Sequence, residues 1–289
     1  MKAKFGTAGN SRRYLENVSR SSLPAPAWLS SIGLDAYEYQ CGRGVHIGRA
    51  AAEDLGRAAQ EHGITLSLHA PYFINLTNTS DEGYGKNRRY ILDSCRAAAS
   101  MGAERAVVHC GGLMGLSRRQ ALENARESLA RLLTETEEAG FGRIFFCIET
   151  MGKTNQLGDL TEVLELCYLS ERLIPCVDFG HLYARSLGLF GAEETIRVLA
   201  DMERALGKER AAGFHCHFSK VEYSPRGGEK RHLNFSDPGW GPDFEPLAAG
   251  IAERGYTPTV ICESAGEQSE DAAAMKELYR RRVENRESF

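Results

Sequence analysis

No stretch of the chain reaches the roughly 18 uncharged apolar residues that a membrane-crossing helix needs. The opening Met1-Lys-Ala-Lys-Phe5 also lacks the apolar centre of a secretory signal, so a cytoplasmic protein is expected. The eight cysteines (Cys41, Cys95, Cys110, Cys147, Cys167, Cys176, Cys216, Cys262) show no C-x-x-C spacing. That speaks against a disulfide framework and an all-cysteine zinc site and leaves buried free thiols as the expectation. Neither sign of charge dominates: 35 Lys and Arg against 39 Asp and Glu give a net charge of −4. A surface that coats nucleic acid all over is therefore excluded, while a local basic face is not. The short basic clusters Arg12-Arg13, Lys86-Asn-Arg-Arg89, Arg118-Arg119 and Lys230-Arg231 each read, taken alone, as solvated surface. There is no low-complexity tract, no Pro/Gly-rich linker, and no Gly-x-Gly-x-x-Gly after the first strand-like run. Residues 1–289 are accordingly expected to form one domain.

What the chain does contain is a regular alternation. Strand-like runs fall at Lys4–Gly9, where the run leads into a Gly-containing loop, Ala36–Gln40, Ile64–His69, Arg105–His109, Arg143–Glu149, Ile174–Asp178, Ala212–His217 and Thr259–Glu263. Between them lie helix-like runs, among them Gly48–His62, Asn87–Met101, Leu160–Glu171, Ala192–Leu206 and Phe244–Arg254, and a long one that Ser117 caps and Gly140 closes. Eight such pairs, spaced by roughly 30 to 40 residues, predict an α/β chain folded as a (β/α)8 TIM barrel. The segment after the seventh strand reads as a long polar loop.

In that fold the active site lies at the carboxyl ends of the strands. His69, His109, Glu149, Asp178, His215 and Glu263 all sit at such ends, with His181 three residues after Asp178 and Glu229 and His232 in the loop after strand seven. Converging imidazoles and carboxylates would repel or neutralise one another without cations. A donor set of this kind without thiolates suits zinc, with manganese as the other possibility, and nine candidate ligands exceed what one ion needs.

The stretches His69-Ala-Pro-Tyr-Phe-Ile-Asn-Leu76, Glu149-Thr-Met-Gly-Lys-Thr-Asn-Gln-Leu-Gly158, Cys176-Val-Asp-Phe-Gly-His181 and His215-Cys-His-Phe-Ser-Lys220, with Glu263, resemble the endonuclease IV family of apurinic/apyrimidinic endonucleases, within the xylose-isomerase-like barrels. The resemblance implies a three-zinc centre. His69 and His109 would hold one ion, with Glu149 bridging to a second held also by Asp178, His215 and Glu263. His181, Glu229 and His232 would hold the third. It further implies hydrolysis of the phosphodiester 5′ to an abasic site in double-stranded DNA, with Glu149 and Glu263 at the chemistry. Arg43, Tyr72 and Phe73 would enter the duplex as wedges that extrude the nucleotide. Neither a membrane nor an obligate protein partner is implied.

The chain departs from that family at four places. Glu229-Lys-Arg-His232 is one residue longer than the family's Asp-x-His, position 217 is His rather than Asn, the first loop lacks His-x-Ser, and Phe179-Gly180 replaces Thr-Cys. His217 shares a strand face with His215 and could compete with it for a metal. A sugar isomerase or epimerase would need one divalent ion on Glu149, Asp178, His215 and Glu263, leaving His69, His109 and the Pro-Tyr-Phe-Ile-Asn loop without a task. A barrel that binds metal without catalysis is the third alternative. Lys153 and Lys220 are open as general acids, phosphate ligands or surface charges.

Overall fold

Eight parallel strands close on themselves. They are β1 (Lys4–Ala8), β2 (Ala36–Gln40), β3 (Thr65–His69), β4 (Arg105–His109), β5 (Phe145–Glu149), β6 (Leu173–Asp178), β7 (His215–Phe218) and β10 (Thr259–Cys262), in which β10 pairs with both β7 and β1. The structure, a computed structural model, describes residues 2–287. Helices surround the barrel: α1 (Arg12–Asn17), α2 (Ala25–Ser31), α3 (Arg49–Glu61), α4 (Asp81–Ser100), α5 (Arg118–Glu138), α6 (Leu160–Cys167), α7 (Phe179–Arg185), α8 (Ala192–Leu206), α9 (Lys208–Ala212), α10 (Glu245–Arg254) and α11 (Gln268–Glu287). None of the described helices is long and apolar enough to cross a membrane. The expected (β/α)8 barrel is thus the observed fold.

The local reasons lie in the caps. Ser117 accepts from the Gln120 amide at the start of α5, and Asp159 with Glu162 closes a capping box on α6. Helix α4 begins six residues earlier than the sequence suggests. Ser80 caps it by accepting from the Gly83 amide, and Asp81 and Glu82 fill its first turn, which outweighs the helix-weakening glycines 83 and 85.

The polar segment after β7 is a two-stranded antiparallel hairpin of β8 (Lys220–Ser224) and β9 (Gly228–Leu233) rather than a loop. It is tied to the loop after β5, where the Glu229 amide donates to the Gly152 carbonyl at 3.1 Å. Gly152 is needed there: a Cβ on it would come within 2.6 Å of the Glu229 Cβ.

Inside the barrel, Val107, Cys147, Ile174 and Cys176 form a small separate apolar cluster, one strand step below His109, Glu149 and Asp178. It is the apolar part of the layer under the polar mouth. All eight cysteines are buried and free, and burial pushes the Cys147 thiol up to about 12.

Candidate metal centre

The strand ends bring their polar side chains together. Glu149 is 1% exposed, and His69 Nε2 and His109 Nε2 approach its Oε2 at 3.2 and 2.9 Å. Its Oε1 lies 3.4 Å from His181 Nδ1 and 3.3 Å from His217 Nδ1. Both oxygens of one carboxylate are therefore shared between two flanks. Five overlapping groups of side chains could each hold a cation: His69, His109 and Glu149; Glu149, Asp178, His217 and Glu263; His181, Glu229 and His232; His69, His217 and Glu263; and Cys176, His215 and His217.

Asp178 ends β6 and caps α7. Its Oδ1 accepts from the His181 amide at 2.8 Å, which places His181 one turn into the helix with its ring over the mouth. Asp178 Oδ2 is buried, makes no hydrogen bond and lies 3.4 Å from His181 Nδ1. A carboxylate oxygen is costly to bury without a donor, and Asp178 is grouped with Glu149, His217 and Glu263. The donor set, imidazoles and carboxylates, fits zinc or manganese.

One expected ligand, His215, lies a layer below the others and shares a possible ion site only with Cys176 and His217. His215 pairs in register with Cys176 and Thr259, whereas His217 stands beside Asp178. Two residues of strand put His215 about 6.6 Å deeper. It lies against Glu38, with Nε2 2.8 Å from Oε2, and burial pulls it down to about 4. His217 takes the place expected of His215, at 3.4 Å from Glu263 Oε1. Glu38 itself, fully buried on β2, is not among the expected site residues, because Ala36-Tyr-Glu-Tyr-Gln40 shows only an alternation of aromatic and polar residues and no sign of which face is the lumen. In a barrel both faces are covered, and the polar face is the lumen. The Glu38↔Ser67 register is the signal that locates it.

The other departures have local explanations. A β-bulge between Glu222 and Tyr223 leaves Lys230 unpaired, so Glu229 and His232 point the same way despite the extra residue. Glu229 Oε2 lies 3.4 Å from His181 Nε2, and the His181 and His232 rings are 5.4 Å apart. Gly180 leaves room for Val221, whose Cγ2 would be 2.6 Å from a Cβ at that position.

Electrostatics follow from this crowding. Burial alone would raise Glu149, but His109 and His217 hold it well below the usual carboxylate range. Burial raises Glu263. Burial would lower His69 and His181, yet Glu149 beside the first and Asp178 beside the second lift each to about 9.

A cavity of about 340 Å³ opens over the cluster, lined among others by Gly42, Tyr72, Lys153, Gln156 and Glu229. Tyr72 and Phe73 are 44% and 53% exposed, with ring centroids 4.6 Å apart, and Arg43 Nε donates to the Tyr72 hydroxyl at 3.0 Å. Arg43, Tyr72 and Phe73 thus form one exposed patch on the rim. Lys220 is spent internally, donating to the Phe235 and Asp237 carbonyls.

A family described as the xylose isomerase-like TIM barrel matches residues 26–282. The uncharacterized protein MJ0133 of Methanocaldococcus jannaschii is 30% identical over 263 residues, 90% of this chain and 91% of its own length. The "Probable endonuclease 4" of Shouchella clausii is 28% identical over 217 residues, 71% of each chain. Among solved structures, a D-tagatose 3-epimerase-like protein superposes with a TM-score of 0.72 over 99% of this chain and 100% of its own, at 20% identity, which speaks to fold alone. The chain belongs to the xylose isomerase-like TIM barrel family, with proteins named endonuclease 4 among its relatives.

Proposed function

We propose that the protein is a divalent-metal-dependent hydrolase that cuts DNA on the 5′ side of abasic sites, with zinc as the favoured cation and three ions per chain. The observation that carries this reading is the extent of the ring: His69 and His109 on one flank and His181, Glu229 and His232 on the other, both contiguous with Glu149, Asp178, His217 and Glu263. An epimerase would use only the last four. Bound there, the cations would neutralise the converging carboxylates and supply Lewis acidity to a phosphodiester.

The chain's own residues have separable roles. Glu149 joins the two flanks through its two oxygens. Glu263, raised by burial, is the carboxyl of the cluster that can hold and release a proton at the mouth. The exposed Tyr72 and Phe73 offer apolar faces at the height at which a duplex would rest, and Arg43 braces Tyr72 from the neighbouring loop. Wedges of this kind trade unstacking for a bent duplex and an extruded nucleotide. Lys153, exposed and lining the cavity, is placed to meet a phosphate.

A second reading rests on one observation: Glu149, Asp178, His217 and Glu263 are by themselves a complete four-ligand set, and its three carboxylates could move a proton beside a sugar carbonyl. The two are separated by offering zinc-loaded protein a duplex with a single abasic site and, in parallel, manganese-loaded protein a ketose. Incision of the duplex is expected. Epimerisation of the ketose without incision would reverse the assignment.

A further inference from the structure

The carboxylate beneath the ring, Glu38, lies outside all the roles assigned so far. We propose that Glu38 is a positioning residue: through His217 it sets the orientation and donor strength of the imidazole that completes the Glu149, Asp178 and Glu263 cluster. The proposal rests on the metal-binding part of the function proposed above.

Glu38 is fully buried, and a carboxylate there is tolerated only if donors surround it. Four do. Ser67 Oγ donates to Oε2 at 2.8 Å, His215 Nε2 lies 2.8 Å from the same oxygen, and Gln40 Nε2 donates to Oε1 at 3.1 Å. His217 Nε2 is 3.0 Å from Oε1, close enough for an ion pair although its N–H is not aligned for a full hydrogen bond. Each oxygen of Glu38 is thus met by two of these groups, Oε2 by Ser67 and His215 and Oε1 by Gln40 and His217.

His217 is unusual among the imidazoles of the ring. His69 and His181 place Nδ1 2.8 Å from the Ala70 and Thr150 carbonyls, and His232 places Nδ1 2.7 Å from Ser219 Oγ, all neutral partners. Those contacts leave Nε2 facing the mouth. His217 is reversed: Nε2 backs onto a full negative charge, and Nδ1 faces Glu149 Oε1 at 3.3 Å and Glu263 Oε1 at 3.4 Å. A carboxylate behind a ligating imidazole fixes its tautomer and raises its basicity, and losing such a partner typically costs about 10- to 100-fold in metal affinity. His215 occupies the second oxygen of Glu38 and keeps that carboxylate from turning away.

The test is zinc titration against a competing chromophoric chelator, with zinc per chain counted, on wild type, Glu38→Gln, His217→Ala and the double variant, each checked for folding by circular dichroism. Glu38→Gln is expected to weaken one zinc by about 10- to 100-fold and leave the others unchanged. In the His217→Ala background the same change should add nothing. Glu38→Gln affinities within about twofold of wild type, or an equal added loss without His217, would overturn the proposal. Nitrogen-15 spectra of the histidines in zinc-loaded wild type give an answer that needs no variant: His217 is expected to be protonated at Nε2 only, and protonation at Nδ1 would overturn it. A wild-type chain that takes up no zinc would overturn the metal reading as well, whereas zinc uptake indifferent to Glu38 overturns only this inference.

Discussion

Two histidines two residues apart on β7 stand in different layers of the barrel. His217 is level with Asp178 and the cluster, and His215 lies one layer below, against Glu38. Replacing His217 by Ala is expected to remove about one zinc per chain and to lower incision at least about 100-fold, because a ring donor is lost outright. His215→Gln, which keeps a donor for Glu38, is expected to retain full zinc content. Elemental analysis with parallel kinetics checks both, and loss of zinc from the second variant alone would return the ligand role to His215. Glu149→Gln is expected to lower activity on the order of 1,000-fold or more, since both flanks of the ring meet on that carboxylate. Full activity in that variant would mean that the ring is misassigned. That these side chains end their strands was legible in the sequence; which of two same-face histidines met Asp178 was not. Depth in a barrel is set by the register between strands, and a sequence shows periodicity within each strand but no offset between neighbours.

The hairpin of β8 and β9 decides whether the last group of donors exists. Its bulge leaves Lys230 unpaired and sends Lys230 and Arg231 outward to Glu222, with Arg231 Nε 2.6 Å from Glu222 Oε2. Glu229 and His232 are thereby turned together toward His181. Deleting Lys230 would remove the bulge and leave Glu229 and His232 two residues apart, still on one face, because alternate strand residues share a face. The expected result is unchanged zinc, whereas deleting Lys230 and Arg231 together, which makes Glu229 and His232 adjacent and sends them to opposite faces, is expected to remove about one zinc per chain with cooperative melting preserved, read by metal analysis and calorimetry. Unchanged zinc in the double deletion would show that these residues hold none. The polar run from Lys220 to Leu233 reads as a loop in the sequence because it lacks apolar alternation. It pairs nonetheless because its tip hydrogen-bonds the glycine loop after β5, a tertiary contact with no local signature.

At the scale of the whole molecule, the eight-fold alternation of strands and helices was readable from hydrophobic periodicity and caps, and the closed barrel matches it. What the fold adds is burial of opposite charges in one mouth. Without cations, His69 and His181 are lifted from 6.5 to about 9. The folded chain then holds those protons more tightly than the unfolded one. Their stabilising contribution is complete below pH 6.5 and is lost as pH rises through 9. Cations in the ring would replace those protons. Metal-stripped protein is therefore expected to lose melting temperature between pH 6.5 and 9 while zinc-loaded protein holds it, measured by differential scanning calorimetry. Parallel profiles for the two forms would mean that cations do not bind where those protons sit.

The most direct measurement is product analysis on a duplex carrying one abasic site, incubated with zinc-loaded protein and with protein stripped by a chelator. A single nick immediately 5′ to the lesion, leaving a 3′-hydroxyl and requiring the metal, is the expected result. An intact duplex alongside fully retained zinc would contradict the assignment of the ring to phosphodiester hydrolysis.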